Sequence, residues 1–158
     1  MVIKNVKLSF TEEIELAEAL RSRLKDFENL AQNGIFEILD RKVFLDNANR
    51  VKKVMDKLNI KYWYGGCMEI YDKDELELIV DSLTNYSVSL NKLRSNIENG
   101  LPGNDLDKFK DDITSIYSVS KEIECVNKLR DKSLFFLVNK DKDIKTNENS
   151  VICQENVK

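Results

Sequence analysis

The sequence predicts an α+β protein that is mostly α: a long antiparallel helical hairpin packed with two N-terminal helices and a small β-hairpin or sheet element. Three observations carry this expectation. Leu76, Ile79, Leu83, Tyr86, Leu90, Leu93 and Ile97 fall at a and d positions over three heptads, the pattern of a coiled-coil seam. The run Asn99-Gly100-Leu101-Pro102-Gly103-Asn104, with the chain's only proline, then breaks the helix before a second amphipathic stretch. Finally, Tyr62-Trp63-Tyr64-Gly65-Gly66-Cys67-Met68-Glu69-Ile70-Tyr71 places adjacent glycines between aromatic and apolar runs. That is a tight-turn signal, because both central residues can take positive φ without steric cost.

Taken in order, residues 2–8 alternate imperfectly and predict a short strand. Ser9 followed by Glu12 has the spacing of a capping box, so a first helix is expected over 10–32. Leu16, Ala17, Leu20, Leu24, Phe27, Leu30 and Ala31 form its apolar face. Asn33-Gly34 predicts its end, since either residue can take the left-handed conformation there. Residues 35–45 are dense in apolar and β-branched types. They read as a short helix at 35–40 with a strand at 42–45 as the alternative. Asp46 is expected to cap a helix over 47–58 with Val51, Val54, Met55 and Leu58 facing inward.

The expected β-hairpin occupies 60–71. Asp72 can cap the helix over 73–99, where Asp74 and Glu75 suit the positive end of the helix dipole. Leu106, Phe109, Ile113, Ile116, Val119, Ile123, Val126 and Leu129 define the returning helix. The short connection before it predicts antiparallel packing. Leu134 to Val138 either extend that helix or form a strand. The domain is therefore placed at 1–139, with a polar, disordered tail at 140–158.

Composition narrows the chemistry. The chain holds no histidine, which removes Ser-His-Asp and Cys-His arrangements and histidine-based metal sites. Its three cysteines, Cys67, Cys125 and Cys153, are distant and odd in number, so a disulfide framework or zinc site is not expected and a reducing, cytoplasmic setting fits. No secretory signal and no apolar run of membrane-spanning length is visible.

Net charge is −3, which disfavours nucleic-acid binding by the whole surface. The charge is nonetheless segregated. Residues 41–61 balance to +5, with seven Lys/Arg against Asp46 and Asp56; residues 69–81 balance to −5.

Each candidate site has a competing structural reading. Tyr62, Trp63 and Tyr64 offer amphipathic contact area to a protein partner, or pack one face of the hairpin on the helices. Lys52, Lys53 and Lys57 beside them fit an acidic protein surface or a nucleic-acid backbone, or match the acidic segment 69–81 within the chain. Asp72-Lys73-Asp74-Glu75-Leu76-Glu77 fails the EF-hand pattern, with Leu and Glu where an oxygen ligand and a glycine are needed. Cys67 has no base to activate it and reads as a packing residue. No phosphate-binding or nucleophile-elbow motif occurs.

The expected function is non-catalytic: binding of another protein as an adaptor, an immunity-type protein or a mobile-element-encoded inhibitor of a host protein, which could itself handle nucleic acid, by a monomer or homodimer, with no cofactor, metal or membrane. A nucleic-acid-binding regulator using helix 47–58 and the aromatic hairpin is the first alternative. A hydrolase built on carboxylates such as Glu69 and Asp72 is the second.

Overall fold

The computed structural model describes residues 4–58, 67–70, 73–100 and 106–143. Four helices build the core: α1 (Phe10–Gln32), α2 (Ile38–Lys57), α3 (Lys73–Asn99) and α4 (Leu106–Asp143). Two four-residue extended segments, β1 (Lys4–Lys7) and β2 (Cys67–Ile70), pair antiparallel with Lys4 opposite Ile70 and Lys7 opposite Cys67. The α+β class expected from the sequence is therefore wrong: the protein is an all-α, four-helix structure. The apolar stripes of the helices cover one another, and a ladder this short supplies no layer for a core to form against. Of the expected hairpin, only Cys67–Ile70 is described, and it pairs with the N-terminal segment. Its Tyr62–Tyr64 arm and Gly65-Gly66 turn lie outside the described residues.

The α1 start is the expected capping box. The Ser9 hydroxyl accepts from the Glu12 backbone N–H at 3.2 Å, and the Glu12 carboxylate accepts from the Ser9 N–H at 2.9 Å. Its end differs in geometry from the expectation. Asn33 is extended (φ −72°, ψ 120°) rather than left-handed, and its N–H donates to Leu30 O at 3.2 Å.

The α2 helix corrects a larger expectation. Residues 38–57 form one continuous helix, and Asp46 sits exposed in its middle rather than capping it. No glycine or proline interrupts the stretch, so nothing stops the helix from extending back through the apolar run.

The α3–α4 hairpin is as expected. Tyr86 reaches Glu122 and Ser87 reaches Asn127 across its seam. The heptad positions Leu76, Ile79, Leu83 and Leu90 are buried, so over this span the seam is satisfied within the chain; Leu93 is half exposed. The α4 helix is the longer arm, with 38 residues against 27 in α3, and it continues through 134–138 to Asp143. Helix α1 lies along this hairpin. It runs parallel to α3, as the Arg23–Asp81 pair at 2.8 Å and the Asn85–Asp26 hydrogen bond at 3.0 Å show. It runs antiparallel to α4, with Glu12 beside Lys132 at 3.3 Å and Glu15 further along beside Glu122.

The fourth helix, α2, packs chiefly on α1 through Ala48, Val51, Val54 and Leu58. The core thus joins three layers: the hairpin, α1 in its groove, and α2 outside. Among the described residues, no helix is long and apolar enough to cross a membrane.

Candidate functional site

The layering leaves the first half of α2 unsupported. No residue from Ile38 to Asn47 is fully buried. Ile38 and Leu39 are 82% and 75% exposed, Ile35 in the preceding turn is 87% exposed, and Val43 and Leu45 are more than half exposed. Single exposed leucines are ordinary, but five aliphatic side chains within eleven residues at one corner form a patch that calls for a reason.

This corner is built, not loose. The Asn33 side chain accepts from the Ile35 N–H at 3.1 Å, closing the turn. Arg41 reaches back from the first turns of α2 and donates to Phe36 O at 2.9 Å and Gly34 O at 3.4 Å. The Phe36 and Phe44 rings meet edge to face, with centroids 5.0 Å apart. Phe36, Glu37, Ile38, Leu39 and Arg41 line an open depression. Polar ties and an aromatic pair therefore hold the backbone while the aliphatic side chains face outward. The charges interleaved with them are mixed: Glu37, Asp40 and Asp46 against Arg41 and Lys42.

The lysines singled out from the sequence lie farther along the same helix. Lys52 pairs with Glu28 of α1 at 3.0 Å. Lys57 pairs with Glu75 at the start of α3 at 2.5 Å. That second pair realises the intramolecular match between the basic and acidic segments. Lys53 is exposed between them. The aromatic candidates Tyr62, Trp63 and Tyr64 lie outside the described residues, as does Asp72, and only the backbone of Glu69 is described. Of these candidates, only the lysines are fully placed among the described residues.

A second polar constellation gathers around Tyr86 of the heptad seam, a d position at which a buried hydroxyl needs a partner. Glu15 of α1, Tyr86 of α3 and Glu122 of α4 meet where the three helices touch. The Tyr86 hydroxyl donates to Glu122 Oε1 at 2.6 Å. The Glu15 carboxyl lies against that of Glu122, and Glu15 Oε2 is buried with no donor beside it. Glu15 is pushed up to about 7, first by burial and then by the Glu122 charge. Burial, then the bond to Glu122, also pushes the Tyr86 hydroxyl upward, so it stays protonated at working pH. Cys125, half-buried on α4, is a free thiol pushed upward by burial and by Glu15 and Glu12. These shifts keep the thiol protonated and inert. Among the described residues no group of three or more Cys, Asp or Glu side chains is placed to hold a metal ion.

One signal for this cluster existed in the sequence. Ala19, one turn after Glu15, is fully buried, and a small residue there marks close helix approach. Glu15 shares its side of the helix. Comparison with protein-family models, curated proteins and solved structures found no match to this chain.

Proposed function

We propose that this protein acts without catalysis, by binding another protein, and that the corner between α1 and α2 is its principal contact surface. The observation that carries this reading is the held, outward-facing aliphatic patch of Ile35, Ile38, Leu39, Val43 and Leu45. Exposed apolar surface fixed on a rigid element is where an interface gains free energy at low ordering cost. The patch charges are mixed and sum to −1, so affinity would come from apolar burial and not from a strong field. Lys52 and Lys57 are engaged by Glu28 and Glu75, which weakens the case for a basic helix reserved for nucleic acid. Adaptor and inhibitor are the two forms this activity takes, in a reducing compartment that suits an odd number of cysteines. The aromatic segment Tyr62–Tyr64 is a second contact in this proposal, on sequence grounds.

The test is affinity capture from the source cell with wild type, Ile38→Ser/Leu39→Ser and Trp63→Ala. A protein held by wild type and lost from the double variant, with helicity by circular dichroism unchanged, supports the reading. Capture unaffected by the double variant removes the corner from the interface. Recovery of nucleic acid alone, with affinity falling steeply as salt rises, overturns protein binding in favour of the regulator reading.

A further inference from the structure

We infer that Glu15 and Glu122 form a proton-operated latch that seats α1 on the α3–α4 hairpin, closed when one proton is shared between the two carboxyls and loosened when it is lost. The geometry requires such a proton. Two carboxylates in contact repel unless one of them donates. The Tyr86 hydroxyl already donates to Glu122 at 2.6 Å, which leaves the shared proton on Glu15. Glu15 is 8% exposed, and its Oε2 has no other donor to turn to. An ionised Glu15 would thus be a buried charge beside a like charge, the arrangement that apolar surroundings tolerate least.

The surrounding charges offer no relief. From α1, the nearby carboxylates are Glu18 and Glu12, engaged by Arg21 at 2.6 Å and Lys132 at 3.3 Å. From α4 come Glu122 and the protonated Cys125 thiol, and from α3 the Tyr86 hydroxyl. The charges acting on Glu15 are those of Glu122 and Glu18, both negative.

The position makes this a latch and not merely a local strain. Helix α1 carries most of the packing between α2 and the hairpin, alongside the Lys57–Glu75 pair, and its seam with α4 is thinner than its seams with α2 and α3. Losing the proton there weakens the seating of α1, and with it the placement of the corner that α2 presents. The chain also has no histidine, so no side chain with an ordinary pKa titrates between pH 5 and 7.5 to obscure the effect.

Folded Glu15 holds its proton more tightly than the unfolded chain does. The contribution of Glu15 to stability is therefore undiminished below about pH 4.5, falls as pH rises, and reaches its floor above about pH 7. The experiment compares wild type with Glu15→Gln at pH 5 and pH 7.5, by thermal melting and by hydrogen exchange corrected for intrinsic rates. The expected result is a wild-type Tm lower by about 5 °C at pH 7.5, with lost protection concentrated in α1. Glu15→Gln, whose amide donates to Glu122 at every pH, should melt at nearly the same temperature in both buffers. It should exceed wild type at pH 7.5. Should that variant not fold, Glu122→Gln, which removes the like charge but leaves Glu15 buried, should melt with a smaller pH dependence than wild type. A wild type with no pH dependence, a variant that keeps the wild-type dependence, or protection lost evenly over all four helices would each overturn the latch.

Discussion

Replacing Leu39 with alanine should barely affect folding, whereas the same change at Leu83 should cost about 3 kcal/mol, although both residues are leucines on helices of similar length. Leu83 is fully buried in the seam between α3 and α4. Truncation there removes transfer free energy and leaves a cavity that the flanking helices cannot close, which places the loss in the ~2–5 kcal/mol range for buried leucines. Leu39 is 75% exposed, so about a quarter of its surface is covered. With about 2 kcal/mol for complete burial of a leucine side chain, that fraction is worth about 0.5 kcal/mol. The slightly better helix propensity of alanine offsets part of it. Urea unfolding followed at 222 nm measures both, and an unchanged m-value shows that the two variants lose the same structure. A cost above ~1.5 kcal/mol at Leu39 would refute the claim that the corner is free surface. If that cost grew with protein concentration, the corner would be covering itself with a second copy.

Two further outcomes follow from the polar contacts. Ser9→Ala removes the hydroxyl half of the capping box at the start of α1, leaving the backbone N–H bond to Glu12, and should lower stability by about 1 kcal/mol in urea titration; no loss would mean that the first turn of α1 frays in the native state. Tyr86→Phe strips Glu122 of its donor inside the three-helix junction and should cost about 1–2 kcal/mol at pH 7.5. The loss should shrink in Tyr86→Phe/Glu122→Leu, which also removes the stranded acceptor; an undiminished loss would assign the role of Tyr86 to packing alone.

Much of the helical frame was legible because local chemistry marks its ends. Ser9 and Glu12 predict the start of α1, and the Asn33-Gly34 pair marks its stop even though Asn33 takes an extended conformation. The α3 bounds, Lys73 to Asn99, follow from acidic first-turn residues and a strict heptad ending at a glycine break. Residues 35–45 were illegible for a physical reason. Periodicity reports which face is buried, and the first half of α2 buries almost none, so its aliphatic residues are not confined to one stripe. The same feature that hid the helix exposes the patch. The expectation of a β layer failed differently. Gly65-Gly66 is a turn signal, but a turn signal does not say that a sheet will carry the core, and here four helices supply every layer.

Glu15 shows why a polar site can escape an amphipathicity argument. A helix with one buried face shows its core as a single stripe, and Leu16, Leu20 and Phe27 of α1 read that way. Helix α1 instead lies between α2 and the hairpin, so its buried arc is wider than its apolar stripe. Glu13 and Glu15 fall inside that arc. A middle layer must then accommodate polar groups, and at Glu15 the means is a proton. A pKa displaced from 4.5 to about 7 corresponds to about 3 kcal/mol as a ceiling, at 1.36 kcal/mol per unit. This is a sizeable share of the ~5–15 kcal/mol that holds a domain folded. An apolar residue at position 15 would avoid the penalty, since isosteric replacement of buried ionisable groups is often neutral or stabilising. What the carboxyl pair supplies, and an apolar residue would not, is a packing free energy for α1 that changes with pH. The sandwiched position of α1 makes the pair consequential, because any loosening of α1 is passed directly to α2 and its exposed corner.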